Sequence, residues 1–298
     1  MEGETGCFWS KVNHASRLYG ENEELKAALY IVPTPIGNTG DITLRALETL
    51  KAVDLIAAED TRHSRKLMAQ YDISTPLISF HEYSEAHVVD QLASRVEAGE
   101  SIALISDAGT PLVSDPGYAL VQSIQNKGAL VIPLPGACAA ITALSASGLP
   151  THHFHFEGFL SPKRVARMKR LESLRGLNTT VILYEAPHRI VDLLTDMLSV
   201  YGDEHEVCIA RELTKTFETI RRAPVGKIRE WVLADGNQQR GEFVVISAAT
   251  VQTSALNPEG RALLERLASE LPPRKAAQIV ADHYGLKTRD LYQELISE

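Results

Sequence analysis

Residues 102–117 read IALISDAGTPLVSDPG, a short apolar run, Ile102 to Ile105, that breaks into a turn rich in Gly, Pro, Ser and Asp. The same layout occurs twice more in this half of the chain, at Leu29 to Asp41 (LYIVPTPIGNTGD) and at Leu130 to Ala140 (LVIPLPGACAA). A strand followed by such a turn brings bare backbone N–H and C=O groups to the carboxyl edge of a parallel sheet, where open α/β folds bind ligands. Three such turns predict a built pocket. None is a familiar phosphate cradle, because Pro33-Thr34-Pro35-Ile36-Gly37-Asn38 is not GxGxxG and no GxxxxGK(S/T) occurs. The expected ligand is therefore neither a dinucleotide nor a nucleoside triphosphate.

Outward from these turns, short apolar strands are expected at Leu29 to Val32, Val53 to Ala58, Leu77 to Phe80, Ile102 to Ile105 and Leu130 to Ile132. Helical spacing at Thr43 to Lys51, Ser84 to Ala98 and Tyr118 to Asn126 alternates with them, which predicts an α/β domain with a mainly parallel sheet over residues 29–150. From His152 the strands become β-branched and aromatic: HFHFEGF, TVILYEA, EVCIARE, TFETIRR and FVVISAA. With helices near Val165 to Leu174 and Pro187 to Val200, they predict a second α/β domain over residues 151–249 with a mixed sheet. A polar hinge, Thr250 to Pro258, precedes a helical module over 258–298 with helices at Leu263 to Leu271, Arg274 to His283 and Lys287 to Ile296. Gly285 is the expected C-cap of the second. The module has a helix-turn-helix layout, which serves either nucleic-acid contact or packing and dimerisation. Residues 1–28 carry no apolar signal region and read as a polar, disordered leader.

At 298 residues, 44% apolar and 23% charged, the chain can bury a large core in two or three domains. It has no long apolar run, so no membrane partner is expected. Cys7, Cys138 and Cys208 are odd in number and far apart, which fits a reducing compartment, the cytoplasm, without disulfides. The net charge of −8 sits awkwardly with a nucleic-acid partner. It is unevenly spread, however. SPKRVARMKRLESLRG, Ser161 to Gly176, holds Lys163, Arg164, Arg167, Lys169, Arg170 and Arg175 against Glu172, and Arg221 and Arg222 form a second basic group. Such a cluster is either a solvated helix face or an RNA contact. RNA contact by Lys163, Arg164, Arg167, Lys169 and Arg170 is the reading preferred, because the cluster directly follows the hinge-like GFLSP at a cleft mouth.

The motifs IVPTPIGN, DLIAAEDTRHS, SDAGTPLVSDPG, PLPGACAAITALSASGLP, EGFL, YEAPHR and RELTKTFE together resemble the tetrapyrrole-methylase-like superfamily of S-adenosylmethionine (SAM) enzymes, from about Leu29 to about Ala248. The superfamily's Gly-Asp-Pro is here Gly109-Thr110-Pro111, with Asp107 upstream. In this the chain is similar to the branch that methylates the ribose 2′-oxygen of a cytidine in bacterial 16S rRNA. The resemblance implies a homodimer of two-domain α/β chains, SAM in the interdomain cleft, and 16S rRNA or the small ribosomal subunit as partner rather than DNA. It also implies a cofactor site. Pro35 and Gly37 would form the floor, and Asp107, Gly109, Thr110 and Pro111 would offer backbone groups to the methionine part. Cys138 and Ala139 would continue the wall, with Tyr184, Ala210 and Leu213 over the adenosine. Two other readings stay open: methylation of a tetrapyrrole or a protein side chain by the same fold, and a non-catalytic RNA-binding protein with a vestigial cleft.

A ribose hydroxyl benefits from a general base. The candidates are Asp60 and Glu59 in AAEDTRHS, His81, and Glu185 in YEAPHR, with Arg62, Arg189 and Arg211 available to orient phosphate or carboxylate. Each reads equally as half of a structural ion pair; His81 and Glu185 rank ahead because they lie near strand ends. No metal is expected. His81 and His87 are six apart, not four as in HExxH, and His152, His153 and His155 have no carboxylate or cysteine at ligand spacing. Cys138 reads as a small residue beside a ligand, since methyl transfer from a sulfonium needs no covalent intermediate.

Overall fold

A computed structural model describes residues 25–81, 86–250 and 258–297. Most of the leader, with Cys7, and most of the Thr250 to Pro258 hinge lie outside them. The first half alternates β1 (Ala28–Ile31), α1 (Leu44–Ala52), β2 (Leu55–Ala58), α2 (Thr61–Gln70), β3 (Leu77–Ser79), α3 (Ala86–Glu97), β4 (Ile102–Ile105), α4 (Tyr118–Asn126), β5 (Leu130–Pro133) and α5 (Ala139–Ala146). All strand pairs are parallel, in the order β3-β2-β4-β1-β5. The central strands are apolar at every position because helices cover both faces of the sheet. Tyr30, Ile56, Ala103 and Ile105 pack with α1 and α2 on one face, while Leu29, Leu55, Ile102 and Leu104 pack with α3 and α4 on the other. Thr43 and Asp60 start α1 and α2 by accepting the amides of Ala46 (3.1 Å) and Arg62 (2.8 Å).

This strand order fixes where a ligand can sit. The chain leaves β1 toward β2 on one side and leaves β4 toward β5 on the other, so the connections diverge at the neighbouring carboxyl ends of β1 and β4. That divergence is the switch point of the sheet, where a crevice opens.

The second sheet is mixed, in the order β6-β7-β10-β8-β9. Its elements are β6 (Phe154–Phe159), α6 (Arg164–Arg175), β7 (Thr180–Glu185), α7 (Ile190–Tyr201), β8 (Glu206–Arg211), β9 (Thr219–Pro224), α8 (Val225–Ala234) and β10 (Phe243–Ser247). Only β6 and β7 run parallel, and the register shifts at Gly158, whose φ of 71° makes the bulge possible. Helix α5 joins the two sheets: its Ala140, Ala143 and Leu144 form one apolar cluster with Ile182, Cys208 and Ile246. The C-terminal helices form a separate compact unit. In it α9 (Pro258–Glu270), α10 (Pro273–Tyr284) and α11 (Thr288–Ser297) bury Leu264, Ala277, Val280 and Leu291. Gly285 ends α10 in the left-handed conformation at φ 66°.

Candidate active site

Backbone and side-chain bonds hold the three Gly/Pro turns together. Thr34 and Gly109 exchange N–H to C=O bonds in both directions at 2.9 Å, joining the first turn to the second. The Thr34 hydroxyl donates to the Ser106 carbonyl (3.0 Å), and the Thr110 hydroxyl donates to the Ala137 carbonyl (2.9 Å), which adds the third turn. Gly109 sits at φ 82°. At Gly136 a Cβ would come within 2.5 Å of the Pro33 side chain, so only glycine lets those turns approach. Leu112 (φ 71°) and Ser114 (φ 68°) also occupy the left-handed region, a concentration of backbone strain of the kind found at ligand sites.

Below the turns is a cavity of about 380 Å³. Gly109, Thr110, Cys138 and Ala139 line it from the first sheet, and Tyr184, Ala210 and Leu213 from the second. The Tyr184 hydroxyl accepts the Ala140 amide (3.1 Å) at the start of α5, and burial pushes its pKa up to about 12. Phe156 and Phe159 pack edge-on against Tyr184, with centroids 5.1 and 5.6 Å away. Phe159 also lines the cavity while remaining largely exposed. An aromatic wall facing a glycine-rich backbone wall suits a flat heterocycle carrying a short polar chain.

Three of the residues expected at the cofactor line a different cavity. Pro35, Gly37 and Asp107 line a second cavity of about 310 Å³, which shares Ile36, Ala108 and Glu242 with the first. The first turn runs over the partition, so Ile36 faces both cavities while its neighbours face only one. Pro111 is buried within its turn and lines neither.

The acid–base candidates are also sorted by the fold. His81 follows β3, the edge strand, two strands from the switch point, and lines neither cavity. Asp60 caps α2 and pairs with Arg62 (3.0 Å), whose hydrogen bonds hold its carboxyl down to about 2. Neither Asp60 nor Arg62 lines either of these two cavities. Glu185 does line the first cavity, and burial raises its pKa, but it is locked by Arg189 (3.1 Å) and by its acceptance of the Ala186 amide (2.8 Å). Arg189 is itself tied to the Leu160 carbonyl, and the buried Arg211 to the carbonyls of Arg240 and Phe217. Glu59 accepts the Asp107 amide (3.3 Å), linking the ends of β2 and β4.

Sequence reasoning missed Asp115. It lies in SDPG, within the second of the Gly/Pro turns, and lines the first cavity. Burial raises its pKa from 3.8 to about 6 against a hydrogen bond from Ser106, and the negative charges of Glu59 and Asp107 add to the rise.

The α6 basic cluster is different from its expected form. Arg167 is buried, only 3% exposed, and donates to Asp196 at 2.7 Å, so it cannot reach a phosphate. Arg164 pairs with the same carboxylate (2.9 Å), and Arg170 makes a two-pronged contact with Glu157 (2.7 Å each). These partners come from α7 and β6, far along the sequence. Lys163 and Lys169 stay exposed. Arg222 pairs with Glu206 (2.9 Å), and Arg221 lies over the Trp231 ring. Among the described residues no three His, Cys, Asp or Glu side chains converge as metal ligands, and no helix is long and apolar enough to cross a membrane.

The parallel sheet and the mixed sheet join over a glycine-lined, aromatic-walled cavity, and the family this chain matches makes it a SAM-dependent methyltransferase. Residues 28–229 match the model of the Tetrapyrrole (Corrin/Porphyrin) Methylases, and the chain belongs to that family. Residues 254–298 match a second model, the RsmI C-terminal HTH domain. Curated relatives called "Ribosomal RNA small subunit methyltransferase I" include one from Haemophilus influenzae, 50% identical over 91% of this chain and 96% of its own. Another, from Vibrio cholerae, is 50% identical over 89% and 93%. Solved structures with the same fold include diphthine synthase (TM-score 0.58, 15% identity, 74% of this chain and 90% of that one). Uroporphyrin-III C-methyl transferase from Thermus thermophilus, complexed with S-adenyl homocysteine, has a TM-score of 0.51 at 18% identity, covering 76% of this chain and 99% of that one.

Proposed function

We propose that this chain transfers the SAM methyl group to the ribose 2′-oxygen of a cytidine in the 16S rRNA of the small ribosomal subunit, acting as a cytoplasmic homodimer. The names of relatives 50% identical along nearly the whole chain support small-subunit rRNA as the substrate. Asp115, which lines the cavity, supports an acceptor that sheds a proton as it attacks. A hydroxyl nucleophile must lose its proton as it attacks, and a carboxylate with a pKa of about 6 is ionised at neutral pH yet still basic enough to accept it.

The residues around Asp115 divide the work. Gly109, Thr110, Cys138 and Ala139 would hold the methionine part by backbone contact, and Tyr184, Ala210 and Leu213 would cover the adenosine. SAM supplies an electrophilic methyl group on a sulfonium leaving group. The chain's task is then alignment of acceptor oxygen, methyl carbon and sulfur, which can supply roughly 7–11 kcal/mol of the barrier. Asp115 would take the hydroxyl proton as the methyl group moves from sulfur to the acceptor oxygen. Glu185, fixed by Arg189, serves as a support of the wall.

Incubation with labelled SAM and separate small subunits, free rRNA, ribosomal proteins and tetrapyrroles tests this reading. Label is expected in RNA of the small subunit. Transfer to protein or tetrapyrrole alone, or SAM binding without transfer to any fraction, would overturn it.

A further inference from the structure

The second cavity differs in chemistry from the first. Its walls carry the hydroxyls of Thr39, Ser64 and Ser106, the Gln70 amide, the amines of Lys66 and Lys215 and the carboxylates of Asp107 and Glu242, with no Phe or Tyr ring. Such walls match a sugar and its phosphate better than an apolar side chain or a macrocycle. Three residues are shared with the cofactor cavity, and the strand end that separates them runs through Ser106 and Asp107. Asp115 lines the first cavity, and Ser106 and Asp107 of that strand end are among the groups that act on its carboxyl.

Helix α2 forms the outer wall. His63, Lys66, Leu67 and Gln70 fall at helical spacing on one face, and all four line the cavity. The helix reads TRHSRKLMAQ, with Arg62, Arg65 and Lys66 and no acidic residue. Arg62 is tied to the capping Asp60, but among the described residues neither Arg65 nor Lys66 enters an ion pair, and both are exposed. Lys215, by contrast, is held between Glu212 and Glu242 at 2.9 Å each. The α6 arginines are compensated by Asp196 and Glu157. Free positive charge beside a cavity is thus found on α2.

We propose that the second cavity receives the ribose-phosphate of the acceptor nucleotide and that α2 holds the adjoining RNA backbone through Lys66 and Arg65. This rests on the reading of the chain as an rRNA methyltransferase. A nucleotide entering the cavity must leave its stack, as single-stranded or looped RNA permits. Its hydroxyl then meets the cofactor's methyl where the two cavities adjoin, beside Asp115.

Two variants test the placement with isolated small subunits as substrate and SAM titrated separately. Arg65→Glu combined with Lys66→Glu should raise KM for the subunit at least tenfold and flatten the log–log salt dependence by about 0.7–0.9 for each phosphate no longer neutralised, with SAM affinity unchanged. Gln70→Trp, which fills the cavity from an exposed helix position, should stop methyl transfer while SAM binding and Tm stay as they were. Unchanged KM and salt slope in the first variant, or normal turnover or abolished SAM binding in the second, would overturn the assignment. If the unaltered chain methylates no RNA, it is the underlying reading that fails, and the assignment falls with it.

Discussion

Asp115→Asn removes, among the described residues, the one carboxylate lining the first cavity that is neither locked by a guanidinium nor paired with a lysine. Glu185 is fixed by Arg189, and Glu242 is bonded to Lys215. Burial has lifted the Asp115 pKa to about 6, so a general base here is mostly ionised at pH 7. General-base catalysis contributes about 10²–10⁴-fold, and the variant should lose kcat/KM within that range at pH 7.5. The unaltered enzyme should show a rise of tenfold per pH unit below about 6 and a plateau above it. The variant should lose this limb while keeping SAM affinity. Stability should move the other way. An acid whose pKa is higher folded than unfolded destabilises the fold when ionised; that cost is absent below 3.8, grows as pH climbs toward 6 and is full above it. Asp115→Asn should therefore raise Tm at pH 7, with the gain fading toward pH 4. A variant that keeps both its rate and its low-pH limb would refute the assignment of Asp115 as the base.

Gly109→Val should abolish SAM binding measured by calorimetry, because a β-branched residue cannot hold φ 82° and the turn would move; unchanged affinity would place the pocket elsewhere. Arg167→Ala should cost up to about 3–5 kcal/mol in urea unfolding, since it takes the buried one of two guanidinium partners from Asp196, whereas Arg170→Ala at a partly exposed pair should cost under about 1 kcal/mol. Neither should alter the salt dependence of RNA binding. Light scattering at micromolar concentration should return a dimer mass.

The alternating first half was legible because each strand is an apolar run bounded by turn residues, and Ile102–Ile105 and Tyr118–Asn126 begin and end where the spacing puts them. Helix α8 escaped notice: Val225, Ile228 and Val232 carry its buried face directly after a strand, with only Pro224 to mark the change. The three turns pointed to a pocket, but their residues could not be divided between two cavities without the bridge from Thr34 to Gly109. The apolar run Leu77 to Phe80 puts His81 near a strand end, the usual place for a catalytic group. Strand order, which puts β3 at the edge, is set by packing over long sequence distances. The α6 cluster misled for a similar reason. Charge counted within Ser161 to Gly176 omits Asp196 and Glu157, the partners that neutralise it.

Alkaline hydrolysis of RNA labelled from SAM by the purified protein decides whether the methyl group sits on a ribose oxygen of small-subunit RNA. A 2′-O-methyl group blocks cleavage of the adjoining phosphodiester, so label is expected in an alkali-resistant dinucleotide whose first nucleoside is cytidine. Label released wholly as mononucleotides would place the methyl on a base and contradict ribose methylation.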